Sequence, residues 1–108
     1  MIAFDVQPNH VTLVKTILNQ LLLHKAKVWL FGSRATGSTK PHSDLDLAID
    51  QDGQPLTLLQ LAQLNEAFDN SALPYKVDVV DMNDISTGFL TIIQEQSTLF
   101  FEKTTKQG

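Results

Sequence analysis

Gly32-Ser33 is followed ten residues later by Asp44-Leu45-Asp46, which sets a small-residue turn and two carboxylates at a fixed spacing. The apolar run Val28-Trp29-Leu30-Phe31 leads into the turn, and Leu47-Ala48-Ile49 continues from the second aspartate. The pattern describes a strand ending in a tight elbow and a second strand that opens with acids. Side chains alternate faces along a strand, so Asp44 and Asp46 project to one side, roughly 6–7 Å apart. Two hard oxygen donors at that separation suit magnesium. Glycine at the elbow permits close approach of the backbone, and the Gly32 and Ser33 amides offer donors to a phosphate chain. A phosphate cradle beside a carboxylate pair points to metal-assisted phosphoryl or nucleotidyl transfer. The competing reading is a hairpin whose Gly-Ser turn and aspartates merely face solvent.

Asp78 is a third acid of interest, set among branched residues in Tyr75-Lys76-Val77-Asp78-Val79-Val80. A carboxylate in mid-strand is costly to desolvate unless something pairs with it. With Val77 and Val79 toward the core, Asp78 faces the other way, where it could join Asp44 and Asp46 around two cations. It could also accept the proton of an attacking hydroxyl. The alternative is an edge-strand carboxylate in water. Asp81 has the wrong parity to join the group and is expected to begin a turn.

The elements that must position these acids follow from periodicity. Val11, Val14, Ile17, Leu18, Leu21 and Leu22 recur at helical spacing behind Asn9, an N-cap candidate, and predict a helix ending near His24-Lys25. Residues 27–31 predict the first strand, 34–37 a short helical turn, 38–43 a loop with Pro41, and 44–50 the second strand. Asp52-Gly53 marks a turn. A helix over 55–69 has Pro55 in its first turn and Leu58, Leu61, Ala62, Leu64, Ala67 and Phe68 as its buried stripe. Residues 75–80 predict the third strand. A last helix carries Ile85, Phe89, Leu90, Ile92 and Ile93, weakened by Gly88, and ends in the apolar stretch 99–101. The order α-β-α-β-α-β-α predicts a small α/β sheet covered by helices, one domain over 1–108, with a frayed tail at 104–108.

Composition narrows the function. With 108 residues, 43% hydrophobic and 19% charged, the chain suits a single globular core. No apolar stretch is long enough to span a bilayer, the N-terminus lacks the pattern of a signal peptide, and the absence of cysteine suits a cytoplasmic setting. The net charge is −4 and the eight Lys and Arg are scattered, so direct binding of a long nucleic acid is not expected. His10 and His24 have no partner spacing for zinc, and His42 reads as a solvent-facing loop residue. Trp29 reads as packed strand. The stripes 89–93 and 99–101 read as core, with a subunit interface, homo-oligomeric or otherwise, as the alternative.

The blocks Leu30-Phe31-Gly32-Ser33-Arg34-Ala35-Thr36-Gly37, Ser43-Asp44-Leu45-Asp46-Leu47-Ala48-Ile49 and Pro74-Tyr75-Lys76-Val77-Asp78-Val79-Val80-Asp81 closely resemble the minimal nucleotidyltransferase family, over nearly the whole chain. This family sits in the DNA polymerase β-like nucleotidyltransferase superfamily. The resemblance implies a mixed sheet with helices packed on one face. It implies that Asp44, Asp46 and Asp78 bind two magnesium ions and that Gly32 and Ser33 hold a nucleoside triphosphate, ATP above all. Arg34, next to the elbow, reads equally as a phosphate contact or a surface residue. Short members of the family are commonly paired with a small all-helical HEPN protein and act as its antitoxin, some by attaching AMP to a tyrosine. A chain this short has no room for its own acceptor platform, which fits a partner protein as acceptor. The rival expectations are a non-catalytic module that neutralises the HEPN partner by binding, and transfer to a small molecule.

Overall fold

The structure, a computed structural model, describes residues 6–36 and 43–104. Helix α1 (Pro8–Leu21) has Gln7 at its N-cap and Pro8 in its first turn, ahead of the expected Asn9. Proline is tolerated there because the first amides of a helix have no helical partner to lose. The helix stops before the expected His24-Lys25, and Val14, Ile17 and Leu18 are its buried face. Strand β1 (Ala26–Phe31) runs into the elbow, and the short helix α2 (Ser33–Thr36) follows at once. Strand β2 (Leu45–Asp50) returns antiparallel to β1. It leads to a tight turn in which Asp52 and Gly53 both take positive φ, 53° and 79°.

Helix α3 (Leu58–Asp69) starts later than Pro55 because Thr57 and Gln60 form a reciprocal capping box that sets its first turn. Leu58 is consequently 86% exposed, not part of the buried stripe, which is formed by Leu64 and Phe68 with Leu61 and Ala67 beside them. The helix carries the chain across to β3 (Val77–Asp81), which pairs parallel with β2. A parallel pair cannot be closed by a tight turn and needs such a crossover.

Helix α4 (Thr87–Gln96), capped by Ser86, ends at Ser97, and the chain then adds an element absent from the expected order. Residues Thr98–Lys103 form strand β4, antiparallel to β1, so the sheet is mixed and four-stranded in the order β3-β2-β1-β4. Its register shifts at Val28/Trp29. Such a bulge breaks strict alternation and lets adjacent Leu99, Phe100 and Phe101 sit in one strand. Of that stretch Phe100 is buried, while Leu99 is exposed.

Val28, Leu30, Leu45, Leu47, Ile49 and Val77 join residues of α1 and α3 in the main core. The one-faced packing implied by the resemblance therefore describes α1 and α3. Helix α4 lies over the opposite face, where Phe89 meets Phe31 edge to face at 6.0 Å. Of its apolar stripe Ile93 is fully buried, but Phe89 and Ile92 remain exposed. No helix among the described residues is long and apolar enough to cross a membrane. The expected loop 38–43, apart from Ser43, and the tail, apart from Thr104, lie outside the described residues, as does His42.

Candidate active site

Strand register assembles the site. Across the antiparallel pair Phe31 stands opposite Asp46, and across the parallel pair Asp46 stands opposite Asp78. Parity then puts Phe31, Asp46 and Asp78 in one row on the face away from α1 and α3. The two carboxyl groups stand close enough for the charge of Asp78 to act on Asp46. Gly32, at the head of this row, has φ of +76°, a left-handed conformation that favours glycine. A Cβ there would collide with Oδ2 of Asp46 and stand 3.2 Å from its Cγ. The elbow thus needs glycine twice, once for its backbone and once to let the Asp46 carboxylate lie against it.

Electrostatics mark the same place. The Asp46 carboxyl is pushed up to about 6, first by burial, then by the charges of Asp78 and Asp44, and finally by the hydrogen bond to Asp78. Asp44 lies just outside β2 and is solvent-exposed. Lys76 Nζ is 3.4 Å from Asp78 Oδ1, an ion pair worth roughly 0–1 kcal/mol because both side chains are well exposed.

The donor set fits a hard divalent cation. Neighbouring carboxylates, one of them made to resist ionisation by burial and then by the others' charge, are what such an ion would neutralise. Among the described residues no three Asp, Glu, His or Cys side chains close around a single point. The Asp46–Asp78 pair, with Asp44 alongside within electrostatic range, is what such an ion would meet here.

Arg34 is buried instead of standing on the surface. Its Nε and Nη2 both donate to the Ser43 carbonyl, at 3.1 and 2.8 Å. Its guanidinium lies 4.0 Å from the centre of the Tyr75 ring. Tyr75 Oη in turn is 3.0 Å from Nδ1 of His10. Burial pushes the Tyr75 phenol up, and the Arg34 charge opposes that shift. Neither Tyr75 nor His10 stood out in the sequence, because nothing local announces contacts between residues 10, 34 and 75. Asp81 does begin a turn, as its parity suggested, but it is also buried and accepts the Leu56 amide at 2.8 Å and the Asn83 amide at 3.0 Å. It fastens the start of the crossover to the end of β3.

The family described as "Polymerase beta, Nucleotidyltransferase" matches residues 14–106. The chain belongs to this family. It is 42% identical over 99 residues to a Haemophilus influenzae protein named "Probable protein adenylyltransferase MntA", covering 92% of this chain and 85% of that one. A crystal structure of a toxin-antitoxin with AMP-PNP matches with a TM-score of 0.73 at 24% identity, over 86% of this chain and 73% of that one. A structure of a tri-AMPylated Shewanella oneidensis HEPN toxin in complex with MNT antitoxin matches with a TM-score of 0.68 at 20% identity, over 91% and 74%. This nucleotidyltransferase therefore shares its fold with a chain of each of those toxin-antitoxin structures, and with its H. influenzae relative it shares the enzyme class.

Proposed function

We propose that this nucleotidyltransferase moves AMP from ATP onto a hydroxyl of a small all-helical HEPN partner protein, acting as its antitoxin in the cytoplasm. The observation that carries the reading is the Asp46–Asp78 pair held against the Gly32 elbow. The name of the H. influenzae relative supports the choice of a protein as acceptor and of AMP as the group transferred. The likeness to toxin-antitoxin assemblies supports the choice of partner.

In this reading the acceptor oxygen attacks the α-phosphorus in line. The new O–P bond replaces the bond to the bridging oxygen, and pyrophosphate leaves. Gly32 and Ser33 hold the triphosphate through the backbone of the elbow, and the exposed side of the carboxylate row is where the acceptor enters. Asp44, Asp46 and Asp78 would hold magnesium, two ions in all, which supplies charge neutralisation for the triphosphate and a lowered pKa for the acceptor hydroxyl. Asp78, half-exposed and beside Asp46, is the carboxylate placed to receive the acceptor's proton.

Incubating the chain with ATP, magnesium and the partner protein tests this by intact-mass measurement. One added AMP per modified hydroxyl is expected, and the Asp46→Asn chain should give none. No adduct on partner or self with any common nucleotide would overturn the reading. A partner still silenced by the Asp44→Asn, Asp46→Asn double variant would favour inhibition by binding alone.

A further inference from the structure

We propose that Arg34, Tyr75 and His10 form a latch that positions the site's three segments, so that Arg34 serves Asp44 through Ser43 and is not a ligand of the triphosphate. The inference rests on the nucleotidyl-transfer reading above.

Each arm of the latch ends beside a different part of the site. Arg34 follows Ser33 in the elbow, Ser43 precedes Asp44, and Tyr75 stands three residues before Asp78. Two N–H groups of one guanidinium converge on the Ser43 carbonyl, and this fixes the peptide plane between Ser43 and Asp44. On the other side of Asp44, the Leu45 amide donates to the Lys76 carbonyl at 2.9 Å, the first rung toward β3. Asp44 lies outside regular structure, yet it is bracketed by the latch before it and the ladder after it. The Tyr75 ring supplies the guanidinium's other face, at 4.0 Å, close enough for a cation–π contact. The ring is itself held by the contact between its hydroxyl and His10 and packs edge to face on that imidazole at 5.4 Å.

This arrangement answers a question posed by the sequence. A carboxylate at the mouth of a loop is a poor metal ligand unless its backbone is held, because ordering it on binding costs conformational entropy. An Arg buried against a carbonyl and an aromatic face is well suited to hold it. Lysine has no planar fork and would lose both the converging donors and the stack.

The test uses the full chain and a graded series: Arg34→Lys, Tyr75→Leu and Tyr75→Phe. Three quantities are read: kcat and KM for ATP in transfer to the partner protein, Mn2+ affinity of the free chain by calorimetry, and amide exchange at Leu45. For Arg34→Lys the latch requires kcat to fall about 10–100-fold, the range of losses for residues that orient metal ligands, with KM for ATP within about twofold. Mn2+ binding should weaken about tenfold and Leu45 should exchange faster. Tyr75→Leu should reproduce these changes from a position that touches no phosphate. Tyr75→Phe, which keeps the ring and loses only the His10 contact, should cost about threefold or less. A tenfold rise in KM for ATP with kcat and Mn2+ affinity unchanged would make Arg34 a phosphate ligand and overturn the latch. So would Tyr75→Leu matching the parent chain in all three readouts. If the parent chain transfers nothing, the transferase reading fails, while Mn2+ affinity and Leu45 exchange still decide the latch. Should Arg34→Lys fail to fold, the half-buried Tyr75 pair carries the test.

Discussion

The two faces of β2 are made from the same six residues and have opposite fates. Leu45, Leu47 and Ile49 point into the core beneath α1 and α3 and are fully buried. Asp46 points the other way, into a row with Phe31 and Asp78 that α4 covers at its Phe31 end. One face carries stability, and the other spends part of it, because burial first and the neighbouring acids second make Asp46 resist ionisation. The acid-bearing face is not simply open, since Ala48 is buried between the half-exposed Asp46 and Asp50. Asp46 still stands one residue from the core leucines, so a leucine can be altered with little effect on the acids.

Neighbouring substitutions can break that separation or sharpen it. The largest effect belongs to Asp46→Asn, which should reduce AMP transfer by roughly a thousandfold or more while the chain stays folded by circular dichroism. An unfolded or fully active variant would contradict the division of labour. Its neighbour gives the converse: Leu47→Ala should cost about 2–5 kcal/mol in urea denaturation, with the activity of the molecules that remain folded close to normal. Gly32→Ala lies where the two roles meet. Its positive φ and the collision with Asp46 predict a stability loss of about 1–2 kcal/mol together with a larger loss of transfer than of nucleotide binding.

The smallest effect is on pH. A carboxyl whose pKa is raised in the folded chain holds its proton more tightly there than in the unfolded chain. Its contribution to stability is therefore complete below about pH 4 and is lost as pH rises toward about 6. In metal-free buffer the melting temperature should carry a component that falls across that window, absent from Asp46→Asn and removed by added magnesium. A wild-type and variant profile of identical shape would show that the burial of Asp46 beside its neighbouring acids has no energetic consequence.

Much of this contrast is legible in the chain. The parity that sets Asp46 and Asp78 on one face follows from the spacing of Leu45, Leu47, Val77 and Val79, and the structure pairs the two acids directly. Helix interiors were equally readable, since Val14, Ile17 and Leu18 recur at helical spacing and are buried. Elements that depend on remote partners were not. Strand β4 was hidden because Leu99, Phe100 and Phe101 run together without alternation, and only the bulge opposite Val28/Trp29 makes that sequence a strand. The exposure of Leu58 reflects a capping box that displaced the helix start. Arg34 and Tyr75 have β2 and α3 between them in the chain, and their contact exists only after the sheet has closed.

The parallel pairing of β2 with β3 bears on when the enzyme can exist. Because the two strands are joined through α3, the acid pair is formed by a long-range closure, the kind of contact that comes late as a chain folds. A polypeptide still emerging from the ribosome could complete the β1–β2 hairpin and its elbow and yet be chemically inert. Under the proposed function the acid pair, and transfer with it, would arrive only with the third strand, and an opening that peels this outermost strand away would part the acids while leaving the hairpin standing.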